Sequence, residues 1–600
     1  MKILLVGLNS QYIHSNLALF YLKSCCREKV PGTQIEILEY TINDDPDFIK
    51  GQLFDNKPDI MAFSCYIWNI QQIVDIVTDL KKVMKDTVFV FGGPEVSYEA
   101  GMLMDQVPAV DFIIRGEGEV AFPLLVDYIY SGIGSTSGIK GVVYRNGNRI
   151  IDQGMAQPVD VVNDIPEFLM DYIENLGDRI LYYESSRGCP YNCSYCLSSL
   201  THGVKFFPLE RVKKELDLII KRGLKQVKFV DRTFNCHPDR FKSIIGHIIN
   251  QGGQTSFHFE MAAHLLEDDA INLLKPAPAG IFQFEVGVQS IGDKTLKEIN
   301  RVTDLYRIKE RVKRVKETGK VRQYLDLIAG LPFEGYGQFK QSFNFTYNLK
   351  PEKIHLGFLK LLKGSSLREN ASKHGYIFSQ KPPYQVMENK YISYAEILKL
   401  KKVEDMIEKF YNSNRFNYVL DFIIQRFYTQ PFEFYDQLSD FWYAQGYQLR
   451  NHSQQSLYYL LMKFYRRNIN EDIELFQDVV LFQYFLYYRA EGNIPGLKYD
   501  YSVDKGTFNM ILQKAGLYQP QSSEGKGPSI KELKKHLNIK VFQYDLSTIL
   551  RDIKSQPAKE KLYIIFDYNK RHPMTKEAHF EFYNTNRGNG NTNSNYIEKG

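Results

Sequence analysis

The stretch from Ser185 to Leu200, SSRGCPYNCSYCLSSL, constrains this chain more than any other. It holds Cys189, Cys193 and Cys196 in a CxxxCxxC spacing. Three thiolates on one tight loop can hold three irons of a 4Fe–4S cluster, for which cysteine thiolate is the usual ligand. No fourth cysteine completes the spacing. One iron then stays open to a small-molecule ligand, as catalytic metals keep an open position. Gly188, Pro190 and Asn192 supply the sharp turns that converging thiolates require. Zinc is the competing metal, but it takes four ligands in paired spacing and the chain has no second pair.

The remaining cysteines are Cys25, Cys26, Cys65 and Cys236. They form no paired framework, which is the cysteine usage of a reducing compartment. The N-terminus, MKILLVGLNS, has an apolar run of only about five residues, too short for a signal peptide. No stretch approaches the roughly eighteen apolar residues of a membrane span. The expectation is a cytoplasmic protein without a membrane partner. Lys+Arg minus Asp+Glu is 75 − 70 = +5 over 600 residues. That balance is mild and does not point to nucleic acid. The length suggests three or four domains.

Residues 1–150 alternate apolar runs with helical patterns. The runs Lys2–Leu8, Gln34–Tyr40, Asp59–Tyr66, Val88–Phe91 and Asp111–Arg115 read as strands buried on both faces of a parallel sheet. The expected fold is a doubly wound, flavodoxin-like α/β domain, which binds ligands at the carboxyl ends of its strands. The loops there read GLNSQYIHSN, SCYIWN, GGPEVS and RGEGE. Gly92 and Gly93, then Gly116 and Gly118, would let backbone approach a flat ligand closely. A nucleotide or phosphate would suit the same crevice. Asn146–Gly147 marks a hairpin, and residues 151–178 read as hairpin and linker.

From residue 179 to 375 a second alternation predicts a partial (β/α)6 barrel. Its strands are Leu181–Ser186, Gln226–Val230, Thr255–Met261, Phe282–Gln289, Tyr324–Ala329 and Lys353–Leu362. The cysteine loop follows the first of them and so falls at the mouth, where barrel chemistry sits. In the helix expected over 305–318, Ile308, Val312 and Val315 share one face, and the Lys and Arg residues read as its solvated side. Residues 380–585 predict a mostly helical domain with Tyr and Phe stripes as core and two late strands, Lys540–Leu546 and Leu562–Tyr568. Gln519–Ser529 reads as a linker, and 586–600 as a disordered tail.

The cysteine spacing, with Tyr195 before the last cysteine, resembles the signature of the radical S-adenosylmethionine superfamily. GGPE and RGEGE ahead of it resemble the cobalamin-binding domain of the cobalamin-dependent branch. YIHSNLAL and SCYIWN look like a branch with a C-terminal domain of unknown function. This resemblance implies three cofactors: a 4Fe–4S cluster on Cys189, Cys193 and Cys196, S-adenosylmethionine, and cobalamin. It implies S-adenosylmethionine contacts from Tyr195, Asp231, Glu260, Glu285, Gln289, Gly330 and Leu331. It implies cobalamin contacts among His14, Ser64, Trp68, Gly92, Gly93, Glu95, Gly116, Glu117 and Gly118. The DxHxxG motif that supplies an axial histidine in cobalamin mutases does not occur; His14 is the one candidate in a strand-end loop. Trp68 would pack on the corrin or fill the core.

The activity implied is reductive cleavage of S-adenosylmethionine to a 5′-deoxyadenosyl radical, with methylation of an unactivated carbon in a small-molecule or peptide substrate. A reductant such as flavodoxin or ferredoxin would serve it. Three alternatives stay open: an RNA methylthiotransferase-like enzyme, a radical rearrangement or cyclisation without methyl transfer, and a non-enzymatic cobalamin or iron–sulfur sensor. No catalytic side chain is singled out.

Overall fold

The structure, a computed structural model, describes residues 1–132, 136–201, 203–489, 500–518 and 528–583. Most of the expected linker over 519–529, and the expected tail over 586–600, lie outside the described residues. The chain divides into two compact units: Met1–Phe339 with Gly357–Tyr394, and Lys340–Leu356 with Ala395–Gly600.

The first unit opens with β1 (Lys2–Asn9), α1 (Leu17–Lys29), β2 (Gln34–Thr41), α2 (Pro46–Asp55), β3 (Ile60–Ser64), α3 (Ile70–Val83), β4 (Val88–Gly92), α4 (Ala100–Gln106), β5 (Phe112–Ile114), α5 (Gly118–Ser131), β6 (Val142–Asn146) and β7 (Arg149–Asp152). The seven strands lie in the order β2-β1-β3-β4-β5-β6-β7. β1 to β5 are parallel, and β6 and β7 add an antiparallel hairpin. β1 is buried from Ile3 to Asn9 because helices cover both faces. Leu4, Val6 and Leu8 pack with α2, α3 and α4. Ile3 and Leu5 pack with α1 and α5. Each such side chain contributes roughly 1.5–3 kcal/mol. The strand order reverses between β1 and β3, which opens a crevice at their carboxyl ends.

The chain continues through α6 (Leu169–Glu174), β8 (Leu181–Tyr183), β9 (Ser186–Cys189), β10 (Gly203–Phe206), α7 (Leu209–Lys221), β11 (Gln226–Phe229), α8 (Pro238–Gln251), β12 (Ser256–Met261), α9 (Asp268–Leu274), β13 (Phe282–Gln289), α10 (Asp293–Glu298), α11 (Leu305–Glu317), β14 (Val321–Ala329), α12 (Tyr336–Asn348) and β15 (Lys353–Phe358). The second sheet has the order β15-β14-β13-β12-β11-β8. β14 alternates buried and half-buried residues along its length. Period two puts Leu325 and Leu327 toward the helices and Tyr324 and Asp326 toward the barrel interior. The single strand expected over Leu181–Ser186 is two strands here. β8 stops at Tyr183, and β9 leaves the sheet to pair antiparallel with β10. On α11, Ile308, Val312 and Val315 are buried. Arg307, Arg311 and Arg314 pair with acids Glu267, Asp268 and Glu310. Then follow α13 (Ser366–Glu369), β16 (Ile377–Phe378) and β17 (Val386–Glu388).

The second unit is built on α14 (Tyr394–Met406), α15 (Asn417–Phe427), α16 (Pro431–Ala444), α17 (Gln454–Asn468), α18 (Ile473–Tyr487), α19 (Lys505–Lys514), α20 (Ile530–Leu533), β18 (Leu537–Phe542), α21 (Leu546–Arg551), β19 (Leu562–Arg571) and β20 (Ala578–Tyr583). α18 is buried on every side from Leu475 to Tyr487, so its aromatic residues are core. Buried Asp478 accepts from Tyr501 Oη at 2.8 Å and from the Gln543 and Tyr544 amides at 2.7 and 3.0 Å. The unit is helical with a three-stranded antiparallel sheet, one strand more than the two expected. The first of these ends at Phe542, not Leu546, because Asp545 caps the start of α21 by accepting from Ser547 N.

Candidate active site

The cysteine loop is held on both sides. On its N-terminal side, β9 pairs with β10 so that Cys189 faces Gly203 and Gly188 faces Val204. Gly188 has φ +96°, and a Cβ there would lie 2.3 Å from the Gly203 carbonyl oxygen. Only glycine suits that backbone. On its C-terminal side, Ser194 N donates to Ile299 O at 3.0 Å, and Leu367 N donates to Ser194 O at 2.9 Å. Cys196 N closes a turn onto Cys193 O at 3.0 Å. Cys189 Sγ lies 3.6 Å from Thr233 Oγ1. Gly364–Ser366, after β15, serves this loop as well, with Ser366 Oγ 3.3 Å from Ser194 O.

Arg301 belongs to the site and was not singled out in the sequence. Its Nη2 donates to Gly287 O at 2.5 Å, and its Nη1 lies 3.9 Å from Cys193 Sγ. Burial pushes the Cys193 thiol up, and the Arg301 guanidinium pulls it back down. The only sequence signal was NR at the end of a helical run, which is too common to choose. Three thiols with a guanidinium beside one of them suit an anionic cluster. Burial pushes Cys236 up to about 11, which fits an inert thiol. Cys25, Cys26 and Cys65 are buried. Burial pushes Cys25 up to about 12, and pushes Cys26 and Cys65 up as well. Cys26 and Cys65 pack in the two different core clusters of the first domain. Replacing Cys25 and Cys26 together by alanine is expected to leave iron per chain unchanged. A fall in iron on chemical analysis would contradict that.

The S-adenosylmethionine candidates separate on inspection of their partners. Asp231, expected to contact S-adenosylmethionine, is 1% exposed and committed elsewhere. It accepts from Ser185 N at 2.8 Å, from Ser185 Oγ at 2.7 Å and from Ser186 Oγ. It therefore clamps the chain where β8 gives way to β9, and is not open to a ligand. Gly330 O already accepts from Tyr376 Oη at 3.0 Å and Asn389 Nδ2 at 2.9 Å, so that carbonyl is committed within the protein. Leu331 is fully buried in the cluster that also packs Tyr195. Glu260 is half-buried, 3.9 Å from Arg232, and burial pushes its carboxyl up. Glu285 takes His258 Nε2 at 2.6 Å and Lys228 at 3.5 Å. Gln289 has φ +67° at a bulge in β13. Its Oε1 is buried and has no hydrogen-bond partner among the described residues. A strained residue with an unmet acceptor at a strand end makes Gln289 a candidate ligand position.

Burial pushes the Asp231 carboxyl from 3.8 to about 6, against the pull of its serine hydrogen bonds. A folded pKa above the unfolded one gives stability that is complete below about pH 4 and lost as pH rises to about 6. The loss is roughly 3 kcal/mol, since one unit is about 1.4 kcal/mol. Asp231→Asn removes this dependence. Denaturant unfolding across that range should show wild type losing ground to the variant as pH rises. A pH-independent difference would contradict the assignment.

The first domain's strand-end residues also divide. Gly93 has φ +111°, and a Cβ there would lie 2.6 Å from Cys65 O. Its glycine is required by the protein's own backbone, not by a flat ligand. Gly118 opens α5 with a Cβ position 3.2 Å from Leu22, and Gly116 lies against Met155 and Ala156, so these too serve internal packing. Gly92 alone faces open space. Ser64 is buried and accepts from Asn16 Nδ2 at 2.9 Å. Glu95 is buried, accepts from Tyr384 Oη and pairs with Lys363 at 3.1 Å. Glu117 accepts from Val159 N at 2.5 Å. Trp68 is not core: it is 45% exposed and stacks on Tyr66 at 4.4 Å. His14 Nδ1 meets Tyr182 Oη at 2.7 Å, and burial, then Lys228, lowers its pKa. Gly92 is open at the end of β4, and Trp68, after β3, presents an exposed flat ring.

Among the described residues no helix is long and apolar enough to cross a membrane. Three family models match the chain: B12 binding domain over residues 3–126, Radical SAM superfamily over 183–346, and a protein of unknown function, DUF4080, over 372–566. An uncharacterised methyltransferase of Pyrococcus horikoshii is 26% identical over 64% of this chain and 83% of its own length. The cobalamin-dependent radical SAM methyltransferase TokK of Streptomyces tokunonensis is 28% identical, over 30% of this chain and 28% of its own. In three dimensions, the cobalamin-dependent radical enzyme OxsB with aqua-cobalamin and S-adenosylmethionine bound superposes with a TM-score of 0.56. It covers 80% of this chain and 78% of its own at 15% identity, a likeness of fold. The chain is thus a cobalamin-binding-domain radical S-adenosylmethionine enzyme with cobalamin, S-adenosylmethionine and a 4Fe–4S cluster as cofactors, and with a C-terminal region in a family of unknown function.

Proposed function

We propose that this enzyme methylates an unactivated carbon of a small-molecule or peptide substrate held between the B12-binding strand ends and the barrel mouth. The observation that most supports this is the joining of those two faces within one compact unit. Ser15 Oγ, after β1, bonds Tyr172 Oη at 2.5 Å, and Ile13 O accepts from Ile180 N at 2.8 Å, just before β8. Glu99, after β4, pairs with Arg368 at 3.6 Å. At the same strand ends Tyr12, Ile13 and Trp68 stay 75, 44 and 45% exposed. Exposed apolar side chains at the strand ends of such a crevice suit a corrin ring.

When bound, the cluster and S-adenosylmethionine supply a 5′-deoxyadenosyl radical and cobalamin supplies the methyl group. The chain's own residues position and enclose. Cys189, Cys193 and Cys196 hold three irons, and Arg301 offsets the negative charge beside Cys193. Gln289, Glu260 and Glu285 face S-adenosylmethionine, with Tyr195 and Leu331 excluding water beside the adenine. Trp68, Gly92 and His14 border the corrin. A flavodoxin or ferredoxin supplies electrons.

The methyl-transfer step is tested with anaerobically reconstituted protein, a strong reductant and S-adenosylmethionine, with and without hydroxocobalamin. Methyl transfer predicts S-adenosylhomocysteine in a cobalamin-dependent amount. 5′-Deoxyadenosine without S-adenosylhomocysteine would favour a radical cyclisation instead. That second reading is raised by a 23% identical anaerobic magnesium-protoporphyrin IX monomethyl ester cyclase of Cereibacter sphaeroides, of which this chain covers 52%.

A further inference from the structure

Arg187 lies two residues before Cys189, on β9. Its side chain is only 15% exposed and faces three carboxylates: Glu119 at 2.7 Å, Glu184 at 2.8 Å and Glu117 at 3.5 Å. Its guanidinium also lies over the Tyr21 ring of α1 at 5.6 Å, and Tyr21 Oη donates to Glu184 at 3.1 Å. Glu117 ends the loop that follows β5 as the N-cap of α5, and Glu119 lies in the helix's first turn. Lys205, the antiparallel partner of Arg187 in the hairpin, reaches Glu117 at 3.5 Å. Both strands of the hairpin that ends in Cys189 are therefore tied to one strand-end loop of the B12-binding domain.

The charges in this knot do not cancel. Three carboxylates meet two cations, Arg187 and Lys205. Taking such charges out of water is costly, and a buried ionic cluster rarely repays that in stability compared with apolar packing. What it does supply is registry: a planar guanidinium fixes its carboxylates in direction as well as distance. The loop after β5 and the cluster hairpin cannot shift independently without leaving a buried charge unpaired.

We propose that Arg187 is a positioning residue that couples cobalamin occupancy of the first domain to S-adenosylmethionine binding at the cluster. A ligand seated against Gly92 biases Glu117 and Glu119 through Ser97, whose Oγ donates to Gly93 O at 2.9 Å and accepts from Gly116 N at 3.0 Å. Arg187 passes that bias to the strand that presents Cys189. This rests on the reading that Gly92, at the end of β4, borders cobalamin.

The test uses the full chain with its cluster reconstituted. The dissociation constant of S-adenosylmethionine is measured by equilibrium dialysis with and without hydroxocobalamin, and that of hydroxocobalamin with and without S-adenosylmethionine. In wild type each ligand should change the other's constant by the same factor, about fivefold or more, since coupling is reciprocal. Arg187→Lys keeps the charge and loses the fork. It should bind both ligands and load iron, with the factor collapsing to below about twofold. If that variant loads no cluster, Glu119→Gln makes the same test from the other side of the knot. Undiminished coupling in a loaded variant overturns the proposal, and so does a wild type with no coupling. A chain that binds no hydroxocobalamin at all overturns the cofactor reading with it, so the two failures are distinguishable.

Discussion

Gly188→Ala is expected to leave the protein almost without iron. Gly188 has φ +96°, a region costing a residue with a Cβ about 1–3 kcal/mol. The added carbon would also lie 2.3 Å from the Gly203 carbonyl oxygen. That neighbour is backbone, so no side chain can rotate away. Relief requires β9 and β10 to part, and Cys189 is the next residue on β9. The thiol then leaves the position set by Ser185, Ser186 and Asp231. The measurement is iron per chain after anaerobic reconstitution, with circular dichroism to show that the helices remain. Wild-type iron content in this variant would mean that the hairpin does not position the cluster.

Arg301→Met is expected to let the cluster form and make it harder to reduce. The guanidinium holds Gly287 O at 2.5 Å and reaches toward Cys193. Reduction adds an electron to an already anionic site, so a nearby positive charge stabilises the reduced form more than the oxidised one. A hydrogen bond to a charged group contributes about 1.5–3 kcal/mol. At 59 mV per tenfold for one electron, that corresponds to a fall of roughly 60–130 mV in midpoint potential. A redox titration followed by electron paramagnetic resonance reads it. An unchanged potential would show that Arg301 only supports β13.

The cluster loop was legible because its chemistry is local: three cysteines sit within eight residues and no other fold partner is needed to recognise them. The parallel strands of the first domain were legible because continuous apolar runs such as Ile3–Leu8 have few other uses. Asp231 was not legible. A carboxylate at a strand end looks the same whether it faces a cofactor or, as here, the two serines ahead of the cysteine loop. The glycines carried a similar ambiguity. Gly93 and Gly92 are adjacent, yet one is required by Cys65 O and the other faces open space. Arg301 and Arg187 were missed because long-range charge pairing leaves no periodic trace. The strand Ala578–Tyr583 was missed because it lies at the edge of a small sheet, beside a polar tail.

The central claim is that the loop at Cys189–Cys196 generates radical chemistry from S-adenosylmethionine. The most direct measurement is 5′-deoxyadenosine produced by anaerobically reconstituted protein with S-adenosylmethionine and a strong reductant, beside Cys193→Ala treated identically. The account predicts 5′-deoxyadenosine from wild type and none above background from the variant. Equal amounts from both, or none from wild type with a fully loaded cluster, would contradict it.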